Sequence, residues 1–518
     1  MKPSVRIVLF VNAAILALVG AVALIYPASR ALLDLRDPAL SQPGIPRKAW
    51  RLSANLTPRY AAWARDRIAR GATEQPSKDG DISATEWPLF GSVFYLWAME
   101  NLQAAWDAGD HRAGVEPRVF AKDAILLSSE LIIDPKQAAW VKKRWGDDYM
   151  RRENVFYRMM VIASLTSREK LLKDGAHTAL LREQVESLAR EIDVSRRGLL
   201  NDYPSECYPG DVMAAIACIQ RGDAMLGVLT NRAELVDRAL RGFIGTQSTR
   251  LGLPPYQART TTGRPASDTR GCANSYFCLT APELWPAQAK QWFQLYEKSF
   301  WQEHFTAVGF REYPKGTPNG EWSRDIDAGL VVAGYGVSAN AFGVGAARKN
   351  GRFDRAYPLA AEMIATVWEL PGGVQAVPRL LSNLSDAPLL GEAAILWLLT
   401  VQPEKGFPVK TGGSLPLYVH LITIGSLLLG LFLVFEAIWR FRTARREPER
   451  EYPAAAAQAV IWAGLLLGGL ALLWTQYVLI GLACLFLTQV FPRSKKHPRD
   501  KGNRPEDLPP KSREIQGV

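Results

Sequence analysis

Cysteine is scarce: five in 518 residues, too few for a disulfide scaffold at this length. The five histidines, His111, His177, His304, His420 and His497, are scattered, and none has metal-ligand spacing with another. There is no Walker A loop, no dinucleotide-binding glycine fingerprint after a strand and no Gly-x-Ser-x-Gly elbow. These gaps argue against nucleotide-dependent, redox and metal chemistry, so no cofactor and no metal are expected. What is plentiful is apolar: hydrophobic residues make up 48% and charged residues 22%, which excludes a disordered chain.

Part of that apolar content is in long runs. Residues 7–26 carry no charge, follow Lys2 and Arg6, and are just long enough to span a bilayer. The run is long for a signal peptide, and Ala28-Ser29-Arg30 is a poor cleavage site. Residues 1–27 therefore read as an uncleaved anchor. Residues 416–438 form a second apolar run, and 453–491 a third, too long for one crossing and better read as a hairpin of two. Basic clusters follow each: Arg440, Arg442, Arg445, Arg446 and Arg450, then Arg493, Lys495, Lys496, Arg499, Lys501 and Arg504. Placing both clusters in the cytoplasm requires an even number of spans between them. The expected organisation is an anchor (1–27), an outside domain (28–412), a span (413–439), a basic loop (440–452), a membrane hairpin (453–492) and a basic tail (493–518). The implied location is a bacterial inner membrane with a periplasmic ectodomain. The chain is +11 overall, but the loops and tail hold much of the excess. No nucleic-acid partner is expected, because phosphate binding needs a concentrated basic face.

Within 28–412, helical periodicity dominates, at 60–68, 87–108, 121–133, 154–172, 179–192, 212–226, 233–243, 286–305, 339–347, 355–368 and 390–399. Gly/Pro/Asn/Asp breaks separate these segments. Eleven or twelve helices without an internal linker or a crisp repeat predict one all-α domain, an (α/α)6 toroid or barrel, plus transmembrane helices.

Chemistry is expected on three long polar loops: 200–211 (LNDYPSECYPGD), 254–274 (PPYQARTTTGRPASDTRGCAN) and 310–329 (FREYPKGTPNGEWSRDIDAG). Asp325 and Asp327 are either a general acid/base pair or caps of the following helix. Glu206 and Asp211 carry the same two readings. Glu312, next to Arg311, is either catalytic or half of a structural ion pair. Arg270 either holds an anionic group or ties down its own loop. Tyr208 and Tyr256 are either proton donors or packing aromatics. Cys207 is a candidate thiol, and the pairs Cys272/Cys278 and Cys207/Cys218 leave a disulfide open. Of the 16 tryptophans, Trp87, Trp97, Trp145 and Trp322 lie in or beside these segments, where their faces suit a sugar ring or a carbocation.

Arg144-x-x-Asp147, Glu153-Asn154-x-x-Tyr157, the stretch from Gly198 through YPGDVMAAIACI, and REYPKG…RDIDAGLVVAGYGVSANAFGVGAARKNG occur in an order that resembles the linalool dehydratase/isomerase family. The resemblance covers most of 85–400. It implies an (α/α)6 barrel outside the cytoplasm and metal-free acid/base removal of water from, or isomerisation of, an apolar terpenoid-type alcohol. Met160 stands where the family has a histidine, and Cys207 is the nearest match to the family cysteines. The expectation is a membrane-anchored hydro-lyase or isomerase using Glu206, Asp211, Asp325 and Asp327, with Arg270, Tyr256, Tyr208, Glu312 and Cys207 positioning substrate. The alternatives are a glycan-active hydrolase or lyase of the cell envelope and a non-catalytic envelope binding protein.

Overall fold

A computed structural model describes residues 3–71, 83–228, 232–304, 306–318, 320–446 and 455–472, with 484, 487 and 488. The chain is mostly helical with a few short strands. It divides into two compact units, Met1–Ile25 with Leu428–Val518, and Tyr26–Leu427.

Two helical stretches among the described residues, Arg6–Asp34 and Leu417–Arg445, are long and apolar enough to cross a membrane. A third, Ala457–Gly468, is shorter. Nearly half of the expected hairpin (453–454, 473–483, 485–486, 489–492), part of the basic loop (447–452) and the tail (493–518) lie outside the described residues. In the smaller unit, Gly20 and Gly430 let two backbones touch: a Cβ on Gly20 would lie 2.8 Å from the Gly430 carbonyl oxygen. Such close approach is what small residues contribute where water-driven burial is absent. The Trp462 indole N–H donates to Asn12 Oδ1 at 2.6 Å.

In the larger unit the chain alternates between two kinds of helix. Six are buried on nearly every side: α1 (Glu86–Asp107), α2 (Val155–Leu172), α3 (Pro209–Leu226), α4 (Gly271–Leu284), α5 (Val337–Lys349) and α6 (Leu390–Thr400). Burial all round requires apolar or small residues all round, and Ala214-Ala215 and Gly343-Val344-Gly345-Ala346-Ala347 supply them. A Cβ on Gly345 would meet Leu398 at 2.7 Å and Leu279 at 2.9 Å, so α5 is wedged between α6 and α4. Each of the six packs on the next, and α6 returns to α1, so the contacts close a cycle. The closing seam includes Phe94 stacked on Trp397 at 4.9 Å and Asn101 Nδ2 donating to Thr400 Oγ1 at 3.2 Å.

The helices between them bury one stripe only. Arg47–Arg70, Lys122–Ile133, Thr178–Val194, Pro286–Phe300 and Phe353–Thr366 each pack outside one or two of the six. In Ala233–Ile244 the buried side chains are Leu235, Val236, Ala239 and Phe243, the spacing of a one-sided helix.

The loop expected at 310–329 contains strands. The helix expected to reach 305 ends at Phe300, because Trp301 turns extended and β1 (Trp301–Glu303) pairs antiparallel with β2 (Val308–Phe310). Then β3 (Trp322–Asp325), β4 (Gly329–Val332) and β5 (Tyr335–Gly336) form a three-stranded antiparallel sheet ahead of α5. Asp325 and Asp327 therefore sit on a hairpin turn rather than on a helix cap. Asp325 Oδ1 accepts the N–H groups of Asp327 at 2.9 Å and Ala328 at 3.1 Å.

Candidate active site

The site grows from where the ring helices begin. Glu86 is the first residue of α1, and its carboxylate accepts a short hydrogen bond from the Tyr203 hydroxyl. Tyr203 comes from the turn before α3, closed by Ser205 in the left-handed region (φ 71). The Asn201 carbonyl accepts the N–H of Val155 at 3.2 Å, which ties this turn to the start of α2. Asp202 is buried. It accepts the Tyr208 N–H at 2.8 Å and the Phe156 N–H, leaving Oδ1 without a partner. Asp211 lies in the first turn of α3, and no hydrogen-bond donor reaches it among the described residues. First-turn acids of α1 and α3 lie where the helix dipole favours negative charge, which offsets part of their burial.

The 254–274 loop packs against this turn through Ala258 N–H donating to the Cys207 carbonyl at 3.0 Å. It brings Tyr256, whose hydroxyl donates to Asp327, and Gln257, whose amide donates to the Tyr208 hydroxyl at 2.9 Å. The rings of Tyr203, Tyr208 and Tyr256 follow one another at 6.5 and 5.2 Å, so aromatics bridge Glu86 to Asp327.

Arg270 precedes α4 and lies between two acids, 2.8 Å from Glu312 and 3.1 Å from Asp325, over the rings of Tyr256 and Tyr313. The expected pairing of Glu312 with Arg311 does not form; Arg311 bonds Glu321 and Gln302 instead. Glu312 is fully buried and also accepts from the Cys272 N–H and thiol, both at 3.1 Å. Gly271 makes this possible, since a Cβ there would lie 2.0 Å from the Arg311 carbonyl oxygen. Glu312 and Arg270 thus anchor the hairpin to α4.

The carboxyls divide into two kinds. Burial opposes ionisation of Asp325, but the bond and charge of Arg270 and the N–H groups of Asp327 and Ala328 together outweigh it and hold it below its ordinary value. Burial pushes Glu86 up to about 8, and the charge of Asp327 adds to this. Asp202 is raised by burial and by the charges of Asp211 and Glu86, and Asp211 by burial and by Glu86 and Asp327. Asp327 is raised by burial, against the bond from Tyr256. Four acids therefore share one electrostatic neighbourhood, and each ionisation discourages the next.

Beneath the acids the ring interior is aromatic. Phe90 and Phe94 (α1), Phe156 (α2), Tyr276 (α4), Phe342 (α5) and Trp397 (α6) contact one another with centroids 4.2–6.3 Å apart. Tyr276 packs against Gly210, next to Asp211, and its buried hydroxyl has no partner.

Of the expected residues, Asp211, Asp327, Asp325, Arg270, Tyr256 and Tyr208 come together here. Glu206 does not join the buried acids: it is exposed and accepts from the Tyr208 hydroxyl at 3.1 Å. Cys207 is buried beside them as a thiol, its pKa raised by burial and by Asp202. All five cysteines are free, so the disulfides left open do not form; Cys272 and Cys278 share α4. Met160 is fully buried in α2. Of the four noted tryptophans, only Trp322 is well exposed. Sequence reading missed Glu86, Asp202, Tyr203 and Tyr276. Among the described residues no three His, Cys, Asp or Glu are grouped to hold a metal ion. Cavities of about 480 and 410 Å3 open elsewhere in this unit, and no site carboxyl lines either. No family model matches the chain, and no curated protein matches it in sequence.

Proposed function

We propose that the larger unit is an (α/α)6 toroid whose mouth performs metal-free acid/base chemistry on an apolar alcohol, as a hydro-lyase or isomerase. The observation that carries this reading is a set of buried and half-buried carboxyls with raised pKa, without a matching set of cations, set over an aromatic interior. The closed cycle of six helices, each linked through an outer helix, supports the toroid.

In this reading the substrate hydroxyl lies between Asp211 and Tyr276, satisfying the free Tyr276 hydroxyl and the open oxygen of Asp202. Asp211, whose pKa burial and the neighbouring acids raise, gives its proton to the leaving hydroxyl. The C–O bond breaks, water forms, and the positive charge left on carbon faces the rings of Tyr276, Phe90 and Phe342. Asp327 takes a proton from the neighbouring carbon, whose C–H electrons form the alkene. Glu86, protonated and hydrogen-bonded to Tyr203, restores the proton balance of the cluster. Asp325 and Arg270 hold the hairpin and keep its charge fixed. With Met160 in the core, carboxyls and tyrosines carry the role that the family histidine would have.

The two apolar helices support membrane attachment, with the larger unit in the bacterial periplasm and its substrate drawn from the lipid phase. The absence of site carboxyls from both cavities favours a second reading, a binding protein with a filled mouth. One experiment separates them. The full chain in lipid nanodiscs is incubated with tertiary and allylic terpene alcohols in D2O, and products are analysed by gas chromatography and mass spectrometry. Alkene or deuterium-bearing isomer that disappears with Asp211→Asn supports catalysis. No product from any alcohol sinks it.

A further inference from the structure

The 480 Å3 cavity lies away from the acids and has the opposite character. Leu32, Leu35 and Leu415 make one wall, and Arg36 and His420 supply its basic groups. Arg36 is exposed and makes no hydrogen bond or ion pair among the described residues, and the His420 ring is likewise exposed and unpaired. The one acid on the lining, Asp37, is already taken up: it accepts the N–H groups of Ala39 at 3.1 Å and Arg47 at 2.6 Å, and the Arg47 guanidinium at 3.4 Å. The lining hydroxyls are also committed, Ser41 to the Pro38 carbonyl and Tyr357 to the Leu35 carbonyl. The unused side-chain hydrogen-bonding capacity of the cleft is therefore the Arg36 guanidinium and the His420 imidazole, beside a leucine wall.

Its place in the chain is informative. Residues 32–41 run through and past the end of one membrane-length helix at Asp34, and 415–420 open the other at Leu417. On the membrane attachment proposed above, on which this inference rests, both segments stand where apolar span meets polar unit, the level of lipid headgroups. A guanidinium fork suits a phosphate, and the leucines suit the hydrocarbon attached to it, which free phosphate lacks.

We propose that this cleft binds an anionic phospholipid, its phosphate on Arg36 and His420 and its first acyl carbons on Leu32, Leu35 and Leu415. The test uses the full chain, delipidated in neutral detergent, with native mass spectrometry to count bound dioleoyl phosphatidylglycerol, dioleoyl phosphatidylcholine or inorganic phosphate. Phosphatidylglycerol should bind in preference to phosphatidylcholine, and phosphate should not compete. Arg36→Gln should weaken phosphatidylglycerol about fivefold, the equivalent of ~1 kcal/mol per basic residue; Arg65→Gln, an exposed change on another helix, should not. If Arg36→Gln does not fold, His420→Gln gives the same reading. Equal binding of the two lipids by the unmodified chain, or unchanged binding by the variants, overturns the proposal. Competition by inorganic phosphate overturns its lipid part.

Discussion

Two groups of buried acids lie in the same helical unit and are treated in opposite ways. Asp34 and Glu369 are met by Lys48 and Arg51, with Lys48 at 2.8 Å from Glu369 and Arg51 at 2.6 Å from Asp34 and 2.8 Å from Glu369. Burial opposes the charge of Glu369, but these partners pull it down to about 2. Glu86 and Asp202 are buried and Asp211 and Asp327 half-buried, none in an ion pair among the described residues, and all are raised. The first group is cross-linked charge that joins the Tyr26–Asp34 and Arg47–Arg70 helices to the 369–375 turn. The second holds its protons more tightly than free carboxyls do. Burial alone does not settle an acid's pKa; whether a cation meets it decides the direction.

Removing one member from each group breaks the comparison most sharply. Glu369→Gln leaves buried Lys48 with only Asp34, 3.8 Å away, as a charge partner and should cost about 3–5 kcal/mol, read as a loss of denaturant midpoint. Glu86→Gln removes no buried cation's partner and should leave stability at neutral pH equal or higher. On the proposed reading it lowers turnover about 10²–10⁴-fold.

The two groups should also respond to pH with opposite sign. Glu369, lowered when folded, contributes stability above about pH 4.5 that is lost as pH falls toward 2. Glu86, raised when folded, binds its proton more tightly in the native state. Its contribution is present below about pH 4.5 and is lost as pH rises through 8. A pH series of thermal unfolding should show the slope between pH 5 and 8 reduced in Glu86→Gln and retained in Glu369→Gln.

A smaller contrast lies within the hairpin. Asp325→Asn weakens the bond to Arg270 and the turn, and should cost about 1.5–3 kcal/mol. Asp327→Asn should abolish turnover with a melting temperature nearly unchanged. A large loss of stability in Asp327→Asn would make it a structural turn residue. The smallest expected effect is Tyr276→Phe, about a fivefold loss of affinity for an apolar alcohol and none for the hydrocarbon without its hydroxyl, the worth of one hydrogen bond.

Local pattern made most of the helices legible, because apolar spacing along one segment shows which face is buried, but α4 (Gly271–Leu284) and Ala376–Leu384 were not among the expected segments. The strands were not, since β1 to β5 are two to four residues long and carry too few alternations to register. The site was half legible. Loops 200–211 and 254–274 stood out by length and composition, and Asp211, Arg270 and Tyr256 lie on them. Glu86 did not, because its partner Tyr203 is 117 residues away. The pairing of Glu312 failed for a local reason: consecutive side chains of extended backbone point to opposite faces. Arg311 therefore turns to Glu321 while Glu312 turns to Arg270, 42 residues earlier. Proximity in sequence named the wrong cation.

The seam between α1 and α6 has a consequence for how the protein is made. Asn101 and Thr400, which meet across it, are 299 residues apart. At roughly 5–20 residues per second of synthesis, α1 waits on the order of 15–60 s for its neighbour to exist. Throughout that delay a helix that ends up buried on nearly every side has one flank open. Non-local closure of this kind is slow even once the chain is whole. The birth of this ring is thus a race between its last helix and aggregation of its first.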